Sequence, residues 1–75
     1  DLEVMEISVD ERSTAAGKQI RDIKLPAASL VVSVLRKEET FIPDGSYRLQ
    51  AEDHIIVIAR TEHIERIQGI FTSAA

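Results

Sequence analysis

The chain has 75 residues and a net charge of −4, a size that suits one small domain burying only about 60% of the surface that its unfolded chain exposes. It contains no cysteine, which excludes a disulfide framework and a thiolate metal site and favours a reducing compartment such as the cytoplasm. The acidic balance argues against a surface that follows nucleic-acid phosphates, and no apolar run approaches the roughly 18 residues of a membrane-inserted helix.

The first two predicted elements are a strand and a short helix. Residues 2–9 alternate, with one apolar face and a second face that is apolar only near its start. The helix carries apolar side chains at i, i+4 and i+7, in Ala16, Ile20 and Ile23. Ser13 or Thr14 can cap its start, and Pro26 ends it because proline disfavours helical geometry in the residue before it.

The next element is a strand over "LVVSVLR", residues 30–36, which is apolar on both faces. Simple alternation places Leu30, Val32 and Val34 on one face and Val31 and Leu35 on the other. Such a pattern is typical of a central strand that is covered on both sides.

The second half of the chain predicts two more strands and a final helix. A short strand, "TFI", precedes a turn at "PDGS", and "HIIVIAR", residues 54–60, reads as a second strand buried on both sides. Thr61 can cap a helix whose apolar side chains recur at helical spacing, in Ile64, Ile67, Ile70 and Phe71.

The order of these elements, β-α-β-β-β-α, predicts an α+β fold with a small, mainly antiparallel sheet and two helices. We expect one domain over residues 1–72 and a frayed tail over 73–75. Because the sequence opens on Asp1 rather than methionine, we also expect this domain to belong to a longer protein.

No motif for catalysis or metal binding stands out. No serine lies in a G-x-S-x-G context, and "AAGK" lacks the first glycine of a P-loop and the Ser or Thr after its lysine. The acid–histidine pairs at 53–54 and 62–63 are consecutive residues, whose side chains point in different directions. We therefore expect no enzyme, no metal site and no resident cofactor.

Basic charge is concentrated in one third of the chain. Residues 12–37 carry six basic side chains and one acidic side chain, whereas the remainder is strongly acidic. Two interpretations stay open: a solvated basic face on the first helix, or a local site for a small anion.

Five short motifs follow one another along the chain: Gly17-Lys18, Leu25-Pro26, Arg36 at the end of a strand, Pro43, and Leu49 ahead of Asp53. In this order and spacing they resemble the C-terminal domain of the regulator of potassium conductance (RCK) family, the TrkA-C domain, over nearly the whole chain. Two turns depart from the family pattern. Members commonly carry glycine where this chain has Glu52, and often a glycine in the turn that here contains Glu38-Glu39.

The resemblance implies a cytoplasmic regulatory module of a potassium, cation or other ion transporter or channel, membrane-associated only through its parent protein. It also implies a homodimer, with no direct contact to nucleic acid and no insertion into the membrane. In certain members the dimer cleft binds a small anionic ligand, the second messenger cyclic di-AMP. Two alternatives remain: a dimerisation module that needs no ligand, and the effector domain of a transcription regulator.

Carried over to this chain, the family's ligand cleft falls on the segment after the first helix and on the next strand: Leu25, Pro26, Ala28, Ser29, Leu30 and Val31, with Arg36 and Pro43 nearby. Apolar side chains here can sandwich a purine, backbone amides can read its edge, and a basic side chain can meet a phosphate, with about 1.5–3 kcal/mol for each charge-assisted hydrogen bond. The competing interpretation is that these apolar residues are core or dimer interface and that Arg36 pairs with Glu38 or Glu39.

Overall fold

A computed structural model describes residues 1–72 and confirms the α+β fold class. Its elements are strands β1 (Leu2–Ser8), β2 (Leu30–Arg36), β3 (Glu39–Phe41) and β4 (His54–Arg60), helix α1 (Ile64–Phe71), and two 3₁₀ turns at Ile20–Asp22 and Thr61–His63. The tail predicted at 73–75 lies outside the described residues. No helix in residues 1–72 has both the length and the apolar character needed to cross a membrane.

The four strands form one antiparallel sheet in the order β1-β4-β2-β3. β4 and β2 are therefore the two central strands, as the sequence predicts. Rows of opposed residues run across the sheet, and in one of them Val4, Ile58 and Leu30 are neighbours on three successive strands.

The first predicted helix is wrong as a continuous α-helix. Residues 11–17 form turns, and only Ile20–Asp22 is helical, as a 3₁₀ turn. The backbone of this region pairs with a distant segment instead: the Gly17 amide donates to the Leu49 carbonyl at 2.8 Å, and the Leu49 amide donates to the Lys18 carbonyl at 2.9 Å. An α-helix would need these groups for its own i→i−4 bonds, and Gly17, at φ 86°, has left helical geometry.

The predicted faces of β2 are also wrong, because a β-bulge interrupts the alternation. Val31 opposes Val57 and Ser33 opposes Ile56, so Val32 is an extra residue in β2. As a result Val31 and Val34 both face the core, where they are 6% and 0% exposed.

The sheet has one covered face and one open face. The covered face carries Met5, Ile7, Val31, Val34, Ile55, Val57 and Ala59, and it packs against α1 and the loops that connect the strands. On the other side, Leu2, Val4 and Leu30 are more than 60% exposed. The prediction that β2 and β4 are buried on both sides is therefore wrong for this chain on its own, since Ile56 and Ile58 are only half-buried.

Non-glycine residues with positive φ occupy the two turns that depart from the family pattern. Glu52 has φ 73° and Lys37, beside Glu38, has φ 58°. The chain therefore keeps a left-handed turn in both places without glycine, at a cost of about 1–2 kcal/mol for each residue.

Candidate ligand-binding site

The loop that leads into β2 presents polar backbone groups to the surface. Ala28 is exposed and holds φ 62°, in the left-handed region. Ala27 and Ala28 form the centre of a turn between Pro26 and Ser29, and the amides of these two alanines donate to no acceptor within residues 1–72. The hydroxyl of Ser29 is buried and has no hydrogen-bond partner there either. The exposed amides of Ala27 and Ala28 are suited to reading the polar edge of a ligand, whereas the Ser29 hydroxyl is buried away from solvent.

The predicted site residues around this loop divide into surface and core positions. Pro26 and Val31 are buried, Leu25 is half-buried against the core, and Leu30 is 62% exposed on the open face of the sheet. Leu30 and the loop thus form a surface that a flat apolar ring could cover, while Pro26 and Val31 hold the loop in place from below.

Arg36 has a buried acidic partner that sequence reasoning did not assign to it. Its Nε and Nη2 atoms donate to the two carboxylate oxygens of Asp53 at 2.9 and 2.8 Å, and Nη2 also donates to the Arg48 carbonyl at 3.0 Å. The guanidinium lies 5.1 Å from the centre of the Tyr47 ring. The pair involves Asp53 and neither Glu38 nor Glu39, the two partners that the competing interpretation gave to Arg36.

The electrostatics of this pair follow from burial and hydrogen bonding. Burial of Asp53, which is 1% exposed, acts to raise the pKa of its carboxyl, but the hydrogen bonds from Arg36 and from the Gln50 amide outweigh burial and hold that pKa below its ordinary value. The same hydrogen bond to Asp53 raises the pKa of Arg36. Both groups are therefore charged at neutral pH, and Asp53 closes the turn before β4 by accepting the hydrogen bond from the backbone amide of Gln50.

The structure does not bring Arg36 next to the loop within one chain. Leu30 and Arg36 lie at opposite ends of β2, about 20 Å apart at the usual rise of a strand. Pro43 follows β3, whose last pair joins Phe41 to Val34, and it takes no part in the strand pairing. Only the Nη1 atom of Arg36 forms no hydrogen bond within residues 1–72 and could meet a phosphate.

Two open clefts lie elsewhere on the described surface. One, of about 360 Å³, is lined by Lys18 and Lys24 together with Asp22, Ile23 and Ile70. The other, of about 850 Å³, has four acidic side chains, Glu6, Asp10, Glu11 and Glu52, which would repel an anion. Neither is lined by the loop or by Leu30, so this surface is open rather than enclosed in a single chain.

The described residues contain no cluster of side chains suited to hold a metal ion. Across residues 1–72, no three histidine, aspartate or glutamate side chains come together as a ligand set. The acid–histidine neighbours at 53–54 separate as expected, because Asp53 turns to Arg36 while His54 Nδ1 lies 3.0 Å from the Ser8 hydroxyl on the open face of the sheet.

Comparison with known proteins agrees with the fold and the sequence motifs. The TrkA-C domain model matches residues 4–72. A Trk system potassium uptake protein TrkA homolog from Archaeoglobus fulgidus is 37% identical over 70 residues, which are 93% of this chain and 16% of that protein. The chain thus spans about a sixth of the length of this relative.

Two solved structures share the fold. One, described as an RCK domain with cda, has a TM-score of 0.78 at 20% identity and covers 92% of this chain and 97% of the other. The other is the RCK C domain of the potassium transport protein KtrA in complex with cyclic diadenosine monophosphate, with a TM-score of 0.76 at 22% identity and coverage of 91% and 81%.

Proposed function

The chain belongs to the TrkA-C (RCK C-terminal) domain family, and we propose that it is the cytoplasmic ligand-sensing and dimerisation module of a potassium or other ion transport protein. On this proposal its regulatory ligand is a small anionic nucleotide, cyclic di-AMP, bound in a cleft between two copies. The family is regulatory rather than catalytic, and the proposed parent protein supplies the membrane association.

One observation carries the ligand proposal: the surface formed by the loop 27–29 and Leu30. The exposed amides of Ala27 and Ala28 can bind the edge of an adenine, and Leu30 offers an exposed apolar side chain to the face of the ring. The surface is open in one chain, so a second copy would supply the opposite wall. The KtrA domain, whose fold this chain shares, was solved with this ligand.

The predicted site residues take different roles on this proposal. Ala28, Ser29 and Leu30 contact the ligand. Leu25, Pro26 and Val31 fix the position of the loop from the core side, and Pro43 borders the cleft. Arg36 meets a phosphate only through Nη1, since its other donors are committed to Asp53 and Arg48.

The phosphates add an electrostatic component. Residues 12–37, which contain the loop, hold most of the basic charge of the chain, and a cyclic dinucleotide carries two phosphates. We therefore expect the affinity to fall as salt concentration rises, because exposed charges are screened within about 8 Å at physiological ionic strength.

A thermal-shift titration with cyclic di-AMP tests the proposal. Because a ligand that binds only the folded state stabilises it by about 2.7 kcal/mol at 100 times its Kd, the midpoint should rise by roughly 10 °C or more for a domain of this size. Cyclic di-GMP serves as the matched control for charge and ring shape. An unchanged midpoint at millimolar cyclic di-AMP would reject the ligand.

Two variants locate the site. Leu30→Asp places a carboxylate on the proposed ring-binding surface and should abolish the midpoint shift, whereas Gln68→Asp adds the same charge on exposed α1 and should leave it intact. Equal shifts in both variants would place the ligand elsewhere.

A dimerisation module that needs no ligand is the second candidate, and the open apolar face of the sheet favours it. The same titration separates the two candidates. The thermal midpoint of a dimer that needs no ligand should rise with protein concentration and should not change when cyclic di-AMP is added.

A further inference from the structure

β1 lies at one edge of the sheet, and its outer side is a row of backbone groups without partners. Hydrogen bonds at both ends show which residues turn inward: the Val9 amide donates to the Asp53 carbonyl at 2.8 Å, and the Thr61 amide donates to the Asp1 carbonyl at 2.9 Å. The odd-numbered residues of β1 therefore bond to β4, because hydrogen-bonded and non-hydrogen-bonded pairs alternate in an antiparallel ladder. The backbone groups that point outward, and that have no backbone partner within residues 1–72, belong to Leu2, Val4, Glu6 and Ser8.

An open cleft of about 850 Å³ runs beside the second half of this edge. Every residue from Glu6 to Glu11 lines it, although successive side chains of a strand point to opposite faces of the sheet. The cleft therefore follows the backbone of β1 and of the loop after it, and not one face of the sheet. Gln68 and Thr72 of α1 also line it, so the helix bounds the space beside the free backbone groups.

The edge and the cleft are acidic. Residues 1–11 carry five acidic side chains and no basic one, and Glu52 adds a further carboxylate to the cleft. Of the carboxylates that line it, only Asp10 has a hydrogen-bond partner within residues 1–72, the Arg12 amide at 2.8 Å. Across the same residues, no three acidic or histidine side chains converge as a metal-ligand set. These charges therefore suit a partner whose positive charges are spread along a chain.

We propose that the free edge of β1 binds an extended segment of a partner protein, rich in lysine or arginine, which adds to the sheet as a fifth strand. In this mode of recognition the backbone hydrogen bonds supply affinity and the side chains supply specificity. The inference goes beyond the proposed function, and neither the nucleotide nor a second copy of the chain takes part in it.

The composition of β1 favours this partner over a second copy of the same edge. Soluble proteins usually protect an edge strand by short length, lysine, proline or a bulge. β1 has seven residues, contains neither lysine nor proline, and keeps a regular register with β4 throughout, whereas β3 at the other edge has only three residues. The acidic side chains of β1 repel a second β1 strand and attract a basic segment.

The register also sets the side chains that the partner strand needs. Residues directly opposite each other on neighbouring strands lie on the same face and contact. Val4, which is 68% exposed, and Glu6 both lie on the open face, two residues apart. The added strand therefore places an apolar side chain opposite Val4 and a basic side chain opposite Glu6. Further basic residues past that point would lie near Asp10 and Glu11.

A fluorescently labelled peptide of about nine residues, slightly longer than β1, tests the charge requirement by anisotropy titration with the 75-residue chain. Its alternate residues are lysine, lysine, valine and valine with threonine between them, preceded by two lysines. It should bind, and the same peptide with glutamate in place of lysine should not. Glu6→Gln should weaken binding at least about threefold, whereas Glu39→Gln, on the opposite edge strand, should leave it within about twofold.

Amide hydrogen exchange measured by NMR tests strand addition itself. Saturating lysine peptide should slow exchange of the Val4, Glu6 and Ser8 amides by about tenfold or more, because these amides gain hydrogen-bond partners. The Met5 and Ile7 amides, already bonded to β4, should change by much less.

A proline variant tests the same contact from the other side. Glu6→Pro removes an outward amide without removing a bond to β4, so it should bind the peptide at least about tenfold more weakly than Glu6→Gln, which lacks the same charge. Far-UV circular dichroism checks that the variant is folded, and the exchange data on the unaltered chain decide the matter if it is not.

Two results would overturn the inference. One is binding of the lysine peptide without slower exchange at the three outward amides, which would mean attraction by charge and no added strand. The other is equal affinity for the lysine and glutamate peptides, or no binding of the lysine peptide at millimolar concentration. Neither result bears on the thermal shift with cyclic di-AMP, so the nucleotide proposal stands or fails separately.

Discussion

Replacing Asp53 with asparagine would remove the buried charge that joins β2 to β4. The carboxylate accepts two hydrogen bonds from Arg36 and one from the Gln50 amide, all between 2.8 and 2.9 Å. Asparagine keeps the volume and one acceptor, but it turns an amide group toward the guanidinium. Loss of one partner of a buried ion pair costs about 3–5 kcal/mol. Because the Arg36 side chain is 27% exposed and can recover some hydration, we expect the free energy of unfolding to fall by about 2–3 kcal/mol.

For a chain of 75 residues this loss is a large share of the free energy of unfolding, which is of the order of 4–11 kcal/mol. The thermal midpoint should fall by about 10–20 °C, and the urea midpoint should fall without a change in slope. Urea unfolding followed by circular dichroism measures the difference, with Glu62→Gln as the control because the Arg60–Glu62 pair is exposed. A loss below about 0.5 kcal/mol, similar to the control, would refute the role given to this pair.

Three further predictions concern the same framework. The folded-state pKa of Asp53 lies below its ordinary value of 3.8, so its contribution to the free energy of unfolding is present above that pH and is lost as pH falls through the folded pKa. Urea midpoints between pH 7 and pH 2.5 should show this loss, and the Asp53→Asn variant should show a smaller change over the same range. Glu52→Gly should raise the free energy of unfolding by up to about 1 kcal/mol, since φ 73° is free of strain for glycine; a lower urea midpoint would contradict the left-handed turn. Phe71→Ala removes a fully buried ring and should cost about 3–5 kcal/mol, seen as a large drop in urea midpoint; a loss below about 1 kcal/mol would mean that α1 does not pack on the sheet.

Local patterns predicted the strands well because alternation and β-branched residues act over a few positions. "LEVMEIS" and "HIIVIAR" each have a covered face that alternation identifies, and both are strands of the expected extent. The last helix was predicted in place, since Ile67 and Phe71 lie one turn apart and both are fully buried. Its predicted cap is wrong, because α1 begins at Ile64 and the Thr61 hydroxyl donates to the Asp1 carbonyl instead.

The errors arose where distant segments decide the structure. The spacing of Ala16, Ile20 and Ile23 is helical, yet the backbone of this region pairs with residues 45–49 and forms turns. Ile23 is still buried, so the pattern marked a core-facing side chain and misjudged the backbone that carries it. Likewise, the bulge at Val32 changes which β2 side chains reach the core, and single-strand alternation contains no sign of it.

The site residues carried over from the family resemblance stay a prediction. The structure adds that the loop after Pro26 has exposed amides at Ala27 and Ala28 and a buried Ser29 hydroxyl without a partner within residues 1–72. Sequence spacing alone could not show that Arg36 is paired, because Asp53 lies 17 residues away and meets it only through the β2–β4 register.

Isothermal titration of the chain with cyclic di-AMP tests the central claim most directly, because its stoichiometry reports where the ligand binds. A cleft shared by two copies predicts one nucleotide for every two chains, with the heat abolished by Leu30→Asp. A stoichiometry of one nucleotide per chain, or no heat at millimolar ligand, would contradict the account.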